Sequence, residues 1–431
     1  MHTYALKGTV AYTPQRDSFL IKKNAYLVCH GGKVEGVFDK LPPRLAGIAV
    51  HDFGSAFIIP GMCDIHVHAS QSPFQGIGQN IESGNWNTWF ECYAFPDEAK
   101  FRDLAYAREA YTDFVKKLQA TPTTRICAYA TSDVKATRVL MEVLNKYGFA
   151  GYVGNVCMDR NCNPELLRST EDTLRETRTW LEDCKDGIGA VYPIITPRYF
   201  PTCSEESLAG LGRLVQEFQT PVQTHLSESL DEIAWVKKID PTLTYYAQAY
   251  ERHGLLSGMP HSIMAHCVFS SEEERAALKR NHVLVAHCPQ SNLNSSGMTA
   301  PVLKYLDEGI EVGLGTDVGG GNTLNLFRTI FEAVLASKID WTHGESGHTK
   351  KTLSLSGAFY LATKGGGTLW KSGSFEDGYC FDAVVIDDSR IKDRNQRTDY
   401  ERLERIISLS DDRDIVCKYI NGKEVYKRGA Q

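Results

Sequence analysis

Residues 59–71 read IPGMCDIHVHASQ: an apolar run, a Pro-Gly step, then two histidines one residue apart. Residues i and i+2 of a strand share a face, so His66 and His68 point together while Val67 turns away. Two imidazoles aimed at one spot are half of a metal site if the rest of the chain supplies further ligands.

Outward from this stretch the chain repeats one rhythm. Apolar strand-like runs recur at FIIPGMCDIHV, TRICAYA, FAGYVGNVCM, AVYPIITP, PVQTHL, SIMAHC, HVLVAHC and EVGLGTD. Several are followed by segments of helical spacing, such as EAKFRDLAYAREAYTDFVKKLQ and PELLRSTEDTLRETRTWLEDC. Strands that read as continuous apolar runs are those of a parallel sheet buried on both faces. Eight strand–helix units in succession predict an α/β chain with a TIM (β/α)8 barrel over residues 58–366. Residues 1–57 and 367–431 instead hold short β-like pieces, with an Asn-Gly hairpin signal in YINGKEV. They are expected to combine into a small flanking β-sandwich domain.

Active sites of such barrels lie at the C-terminal strand ends, so those ends are where chemistry should appear. Strand one ends at His66 and His68, strand five at His225 with Glu228 three residues on, strand six at His266 and strand eight at Asp317. Four histidines and two carboxylates on one predicted face are the donor set of zinc or a similar divalent ion. A carboxylate that is not a ligand must carry the proton in metal-assisted hydrolysis, and Glu228 is placed for it. Asp317 could be a ligand, a base, or both.

Composition narrows the setting. The chain has 431 residues, 42% hydrophobic and 23% charged, with a net charge of −6, which speaks against nucleic acid as a partner. No apolar run reaches the ~18 residues of a membrane span, so no membrane partner is expected. MHTYALKGTVAY lacks a basic segment followed by an apolar core, so no signal peptide is read. Twelve cysteines without a CxxC pair fit a reduced cytoplasm better than a disulfide framework.

HxH after PGxxD, with His225, His266 and the Thr-Asp of strand eight, resembles the amidohydrolase superfamily. Finer motifs resemble its branch of mononuclear zinc deaminases: HASQ at 68–71, TPRY at 196–199, HLSE at 225–228, MAHC at 264–267, HCPQSN at 287–292 and GLGTDVGGG at 313–321. The likeness runs from Ile59 to Ala336. It implies one zinc per chain on His66, His68, His225 and Asp317. Strand four ends at Arg198 without the lysine that bridges two metals in other relatives. It further implies hydrolysis of guanine to xanthine and ammonia, with Glu228, Asp317 and His266 catalytic and Gln71, Arg198 and Tyr199 binding the purine. Relatives are commonly homodimers, and a homodimer is expected here.

Three departures bear on substrate choice. Tyr199 stands where many relatives have Phe, and Gln290 makes HCPQSN where HCPNSN is usual. GIGQNIESGNWNTWFECYAF (76–95) is more polar than the corresponding stretch of relatives, and its Trp86 and Trp89 are expected to pack in a short helix. The alternatives are deamination of a related ring (8-oxoguanine, a pterin or an aminotriazine) or a non-catalytic scaffold of the same fold.

Overall fold

The computed structural model describes residues 2–82, 86–343 and 351–429. Eight parallel strands carry the site: β1 (Met62–His68), β2 (Thr123–Tyr129), β3 (Ala150–Gly154), β4 (Val191–Pro193), β5 (Val222–Leu226), β6 (Ser262–His266), β7 (Leu284–His287) and β8 (Glu311–Leu314). β1 to β4 pair in order into one four-stranded sheet and β5 to β8 into another. A parallel bridge between Ile195 and Val222 joins the two beyond β4. On the other side, Asp317 N–H donates to the His66 carbonyl at 2.9 Å and His68 N–H to the Val318 carbonyl at 3.0 Å.

Helices fill the intervals, and their starts are written locally. Ser169, Ser204, Ser229 and Ser271 each accept a hydrogen bond from the backbone N–H three residues on, satisfying a donor that the first helical turn leaves over. Side chains divide between two apolar environments. Cys63, Ile65, Cys127, Ile263, Ala265, Leu284 and Ala286 form one cluster, whereas Met62, Ile126, Ala128, Met264 and Val285 belong to a larger cluster shared with helical residues. That is the period-2 alternation of strands covered on both faces.

β1 breaks this alternation where it matters. Between Asp64 and Val67 its register slips by one residue against β2. Such a bulge re-aims the residues beyond it. The face carrying Cys63 and Ile65 lower down therefore carries His66 and His68 at the strand end. Gly315, after β8, allows the close approach this needs, since a Cβ there would lie 2.7 Å from that of His66.

The end segments combine, as expected, into a flanking β unit, whose described strands pair into one seven-stranded sheet. Its order is 423–427, 415–420, 383–386, 49–60, 3–15, 18–30 and 33–38. The strand Ala49–Pro60 runs parallel to Thr3–Gln15 and antiparallel to Ala383–Ile386, then feeds through Gly61 into β1. Tight parallel pairing between strands distant in sequence is not legible from alternation, which reads the same for one sheet or two. The helix Trp86–Trp89 forms as the spacing suggests, and Trp89 is buried; the Trp86 side chain lies outside the described residues. No helix among the described residues is long and apolar enough to cross a membrane.

Two buried basic side chains anchor the terminal sheet to the parallel strands. Arg125 of β2 forks onto Asp382 through Nε at 2.6 Å and Nη2 at 3.2 Å, and Asp382 also accepts the Asn421 N–H at 2.8 Å. Removing one partner of a buried pair strands the other charge, so Asp382→Ala should cost about 3–5 kcal/mol of unfolding free energy in urea titration. Lys418 is fully buried and donates to the Leu118 and Thr123 carbonyls at 3.1 and 2.7 Å. Burial pushes its pKa well below that of free lysine. The unfolded chain then holds a proton that the folded chain gives up, so this residue costs stability at lower pH and less as pH rises toward about 10.4. Lys418→Met should accordingly gain most over the wild type near neutral pH. That gain should shrink by up to ~1.4 kcal/mol per unit as pH rises, measured by denaturation at matched pH.

Candidate active site

Four strand ends deliver the polar groups to one point. His66 is fully buried, His68 and His266 nearly so, and Asp317 is 5% exposed. His66 Nε2 and His68 Nε2 stand 3.2 and 3.3 Å from Asp317 Oδ1, and His68 Nε2 faces His225 Nε2 at 3.2 Å. His225 Nδ1 lies 2.6 Å from the Arg198 carbonyl. A carbonyl accepts only, so Nδ1 carries the hydrogen and Nε2 presents its lone pair to the cluster. Asp64 ties the arrangement from behind. Thr316 donates to it through its hydroxyl at 2.5 Å and its N–H at 3.0 Å, clamping the ends of β1 and β8 together.

The electrostatics follow from exclusion of water. Burial pushes the pKa values of His66, His68 and His225 below that of free imidazole, the last two well below, which keeps the rings neutral as ligands must be. Burial alone would raise Asp317. The imidazoles of His66, His266 and His68 override it and hold that carboxyl well below the usual carboxylate range. His266 is lifted above the usual imidazole value because the Glu228 and Asp317 carboxylates outweigh its burial. Burial raises Asp64 to about 7 against the hydrogen bonds from Thr316. His266 and Asp317 also adopt left-handed backbone conformations, with φ of 73° and 47°. Each such non-glycine residue costs about 1–3 kcal/mol and persists where its surroundings over-determine it.

The donor set fits a cation. Neither ring nitrogen of His66 has a hydrogen-bond partner although both are buried. Orphaned polar atoms of this kind are costly without a compensating ligand. In a tetrahedral site with metal–nitrogen bonds of about 2.0–2.1 Å the ligand atoms lie about 3.3–3.4 Å apart, close to the observed spacings. His66, His68 and His225 satisfy the proximity a shared ion requires, as do His66, Asp317 and Cys288.

A pocket opens beside the cluster, lined by His68, Gln71, Trp89, Arg198, Glu228 and Asp317 among others. Glu228 Oε2 stands 3.6 Å from His266 Nε2 across it. Gln71 and Arg198 are both 2% exposed and share Glu98, which accepts from Gln71 Nε2 at 2.8 Å and from Arg198 Nη1 at 2.9 Å. Tyr199 does not line the cavity; its ring lies against His225 and Trp235, with centroids 6.5 and 6.1 Å away. The aromatic walls are Trp89 and Phe90 instead.

Comparison with known proteins places this geometry. Residues 57–425 match the model of the amidohydrolase family. The chain belongs to the amidohydrolase family. Among curated amidohydrolase relatives, a guanine deaminase of Dictyostelium discoideum is 35% identical over 386 residues, covering 88% of this chain and 84% of that protein. The guanine deaminase of Homo sapiens is 34% identical over 383 residues, covering 86% and 83%. Among solved structures, guanine deaminase from C. acetobutylicum with bound guanine in the active site superimposes with a TM-score of 0.94 at 44% identity, covering 99% of this chain and 100% of that one.

Several residues of this amidohydrolase site were given no role by sequence reasoning, although Asp64 closes the PGxxD motif and Asn292 ends HCPQSN. Glu98, Asp64 and Asn292 each act through a partner on another element; Asn292 Oδ1 lies 2.8 Å from His266 Nδ1 and orients that ring. Glu232 is partly buried and accepts the Glu228 N–H at 2.9 Å and the Tyr246 hydroxyl at 2.9 Å, fixing the loop that carries Glu228. For Glu232 the signal available was its four-residue offset from Glu228. Zinc titration of the metal-stripped chain, followed by calorimetry, should saturate at one ion per chain. His66→Ala should abolish that transition while leaving the folded secondary structure intact by circular dichroism.

Proposed function

We propose that this chain hydrolyses guanine at C2 to xanthine and ammonia, using one zinc ion held by His66, His68, His225 and Asp317. The observation that carries the proposal is the meeting, in one cavity, of a cation-spaced donor cluster with Glu228, Gln71 and Arg198. Similarity over nearly the whole chain to a protein solved with guanine in its active site supports the choice of ring. The proposed architecture is a closed (β/α)8 barrel over 58–366 flanked by a β unit from 1–57 and 367–431. The Ile195–Val222 bridge and the hydrogen bonds between Asp317, Val318 and the end of β1 support closure. A homodimer, resting on family resemblance, and a cytoplasmic location, resting on twelve cysteines without a CxxC pair, belong to the same proposal.

When bound, the ion supplies Lewis acidity, which brings the pKa of water from about 15.7 toward about 7. The residues do the rest. Glu228 accepts one proton from the attacking water and passes it to ring nitrogen N3; it then takes the proton left on the hydroxyl added at C2 and delivers it to the departing amine. The C–O bond forms at C2 as the C2–N3 π bond opens, giving a tetrahedral carbon; the bond to the exocyclic nitrogen then breaks as the C2 carbonyl forms, and ammonia leaves. Asp317 holds the water's second hydrogen bond, and His266 Nε2, opposite Glu228, steadies the charge that develops around C2. Arg198 and Gln71 hold the ring's far edge, and their burial excludes water that would compete for it.

Ammonia release from guanine by the zinc-loaded chain, with xanthine identified as product, tests the proposal directly. Glu228→Gln should keep one zinc per chain and lower kcat by about 10²–10⁴-fold, the weight of a positioned acid–base group. A near-normal kcat in that variant would assign the proton transfer to another residue.

A further inference from the structure

Glu98 lies on the short helix Phe95–Ala99, in a stretch with no recognisable motif, yet it is 2% exposed and faces the two residues that meet the substrate's far edge. Its Oε1 takes the Gln71 amide N–H and its Oε2 the Arg198 Nη1–H. The other end of the Gln71 amide is also engaged: Oε1 accepts the Gly319 N–H at 3.1 Å. Flipping that amide would set its carbonyl against the Glu98 carboxylate and its NH2 against the Gly319 N–H, two repulsive contacts in a buried place. Gln71 is therefore locked with its remaining amide hydrogen free to reach the cavity.

The guanidinium of Arg198 is held just as tightly. It lies against the stacked rings of Phe90 and Phe95, 5.1 and 5.4 Å from their centroids, which are themselves 5.3 Å apart. Nη1 is engaged by Glu98, and among the described residues no other protein group accepts from its side chain. Arginine offers five N–H donors and no acceptor. The Glu98 carboxylate both balances the buried charge and turns the rest of the fork toward the cavity. This wall of the cavity is thus made of donors, and one acidic side chain makes it so.

We propose that Glu98 is the positioning residue that sets the preference of this site for a purine bearing a carbonyl at C6. The inference rests on the guanine reading above and adds the origin of its selectivity. A carbonyl oxygen accepts from both Arg198 and Gln71. An exocyclic amine in the same place confronts donors with donors, and a buried polar site left unpaired in this way rejects its analogue strongly. Glu98→Gln removes one of the two acceptors. The amide can accept from Gln71 or from Arg198 but not both, so one of them is released to turn and the wall becomes mixed.

The probe is 2,6-diaminopurine, which keeps the C2 amine and replaces the C6 carbonyl by an amine; its hydrolysis at C2 yields isoguanine and ammonia. Steady-state kinetics of guanine and 2,6-diaminopurine should be measured on zinc-loaded wild type and Glu98→Gln, with zinc content and Tm alongside. Glu98→Gln should raise the guanine KM about tenfold or more with kcat changed far less. It should also lower the guanine to 2,6-diaminopurine ratio of kcat/KM by about tenfold or more, with zinc content unchanged. An unchanged ratio, including one where KM, kcat and Tm all worsen together, overturns the role of Glu98. Should Glu98→Gln not fold, Glu98→Asp keeps the charge but is one methylene too short to span both partners. A ratio lowered in that folded variant supports the proposal and a wild-type ratio overturns it. Wild type that deaminates guanine while the variants keep its ratio removes only the Glu98 assignment. Wild type that does not act on guanine removes the guanine reading itself.

Discussion

Imidazole nitrogens and a carboxylate oxygen pressed to within 3.2–3.3 Å of one another, away from water, are the constraint around which this protein is arranged. Lone pairs aimed at a common point repel, and burial strips them of the solvent that would screen them. The chain holds them there by means that cost free energy locally: a bulge in β1, left-handed backbone at His266 and Asp317, and a fully buried Asp64 clamping two strand ends. Strain of this size survives because a large, continuous apolar core around the strands over-determines their ends. A cation at that point would turn repulsion into attraction and account for the whole arrangement at once.

Much of this was legible in the sequence, for a physical reason. Parallel strands buried on both faces announce themselves as apolar runs, and strand ends are where such a fold places chemistry, so His66, His68, His225, Glu228, His266 and Asp317 could be picked out one by one. The structure brings all six to one cavity or its edge. What could not be read was anything defined by a partner distant along the chain. Glu98 matters because it lies beside Arg198, 100 residues away, and Gln71, 27 residues away. Tyr199, read as a stacking ring from its place in TPRY, is turned toward Trp235 and His225, because neighbours in sequence point to opposite sides of an extended backbone.

The terminal segments teach the complementary lesson. Their short alternating strands were recognisable, but one sheet and two facing sheets share the same alternation. The choice was made by long-range pairing of Ala49–Pro60 with Thr3–Gln15 and with Ala383–Ile386. The Arg125–Asp382 pair then fastens that sheet to β2, and Lys418 reaches the carbonyls beside it. The terminal sheet is in this way continuous with the scaffold that aims His66 and His68, through a strand separated from β1 by Gly61 alone.

Arg198 serves two masters through two different parts of itself. Its carbonyl oxygen takes the hydrogen of His225 Nδ1, while its guanidinium faces the cavity. The first contact belongs to the main chain and is kept whatever side chain occupies the position; the second belongs to arginine alone. Descendants of this chain can therefore explore new substrates at residue 198 while the tautomer of His225 stays fixed. Within this architecture, novelty in what is bound can arise without disturbing the machinery that reacts.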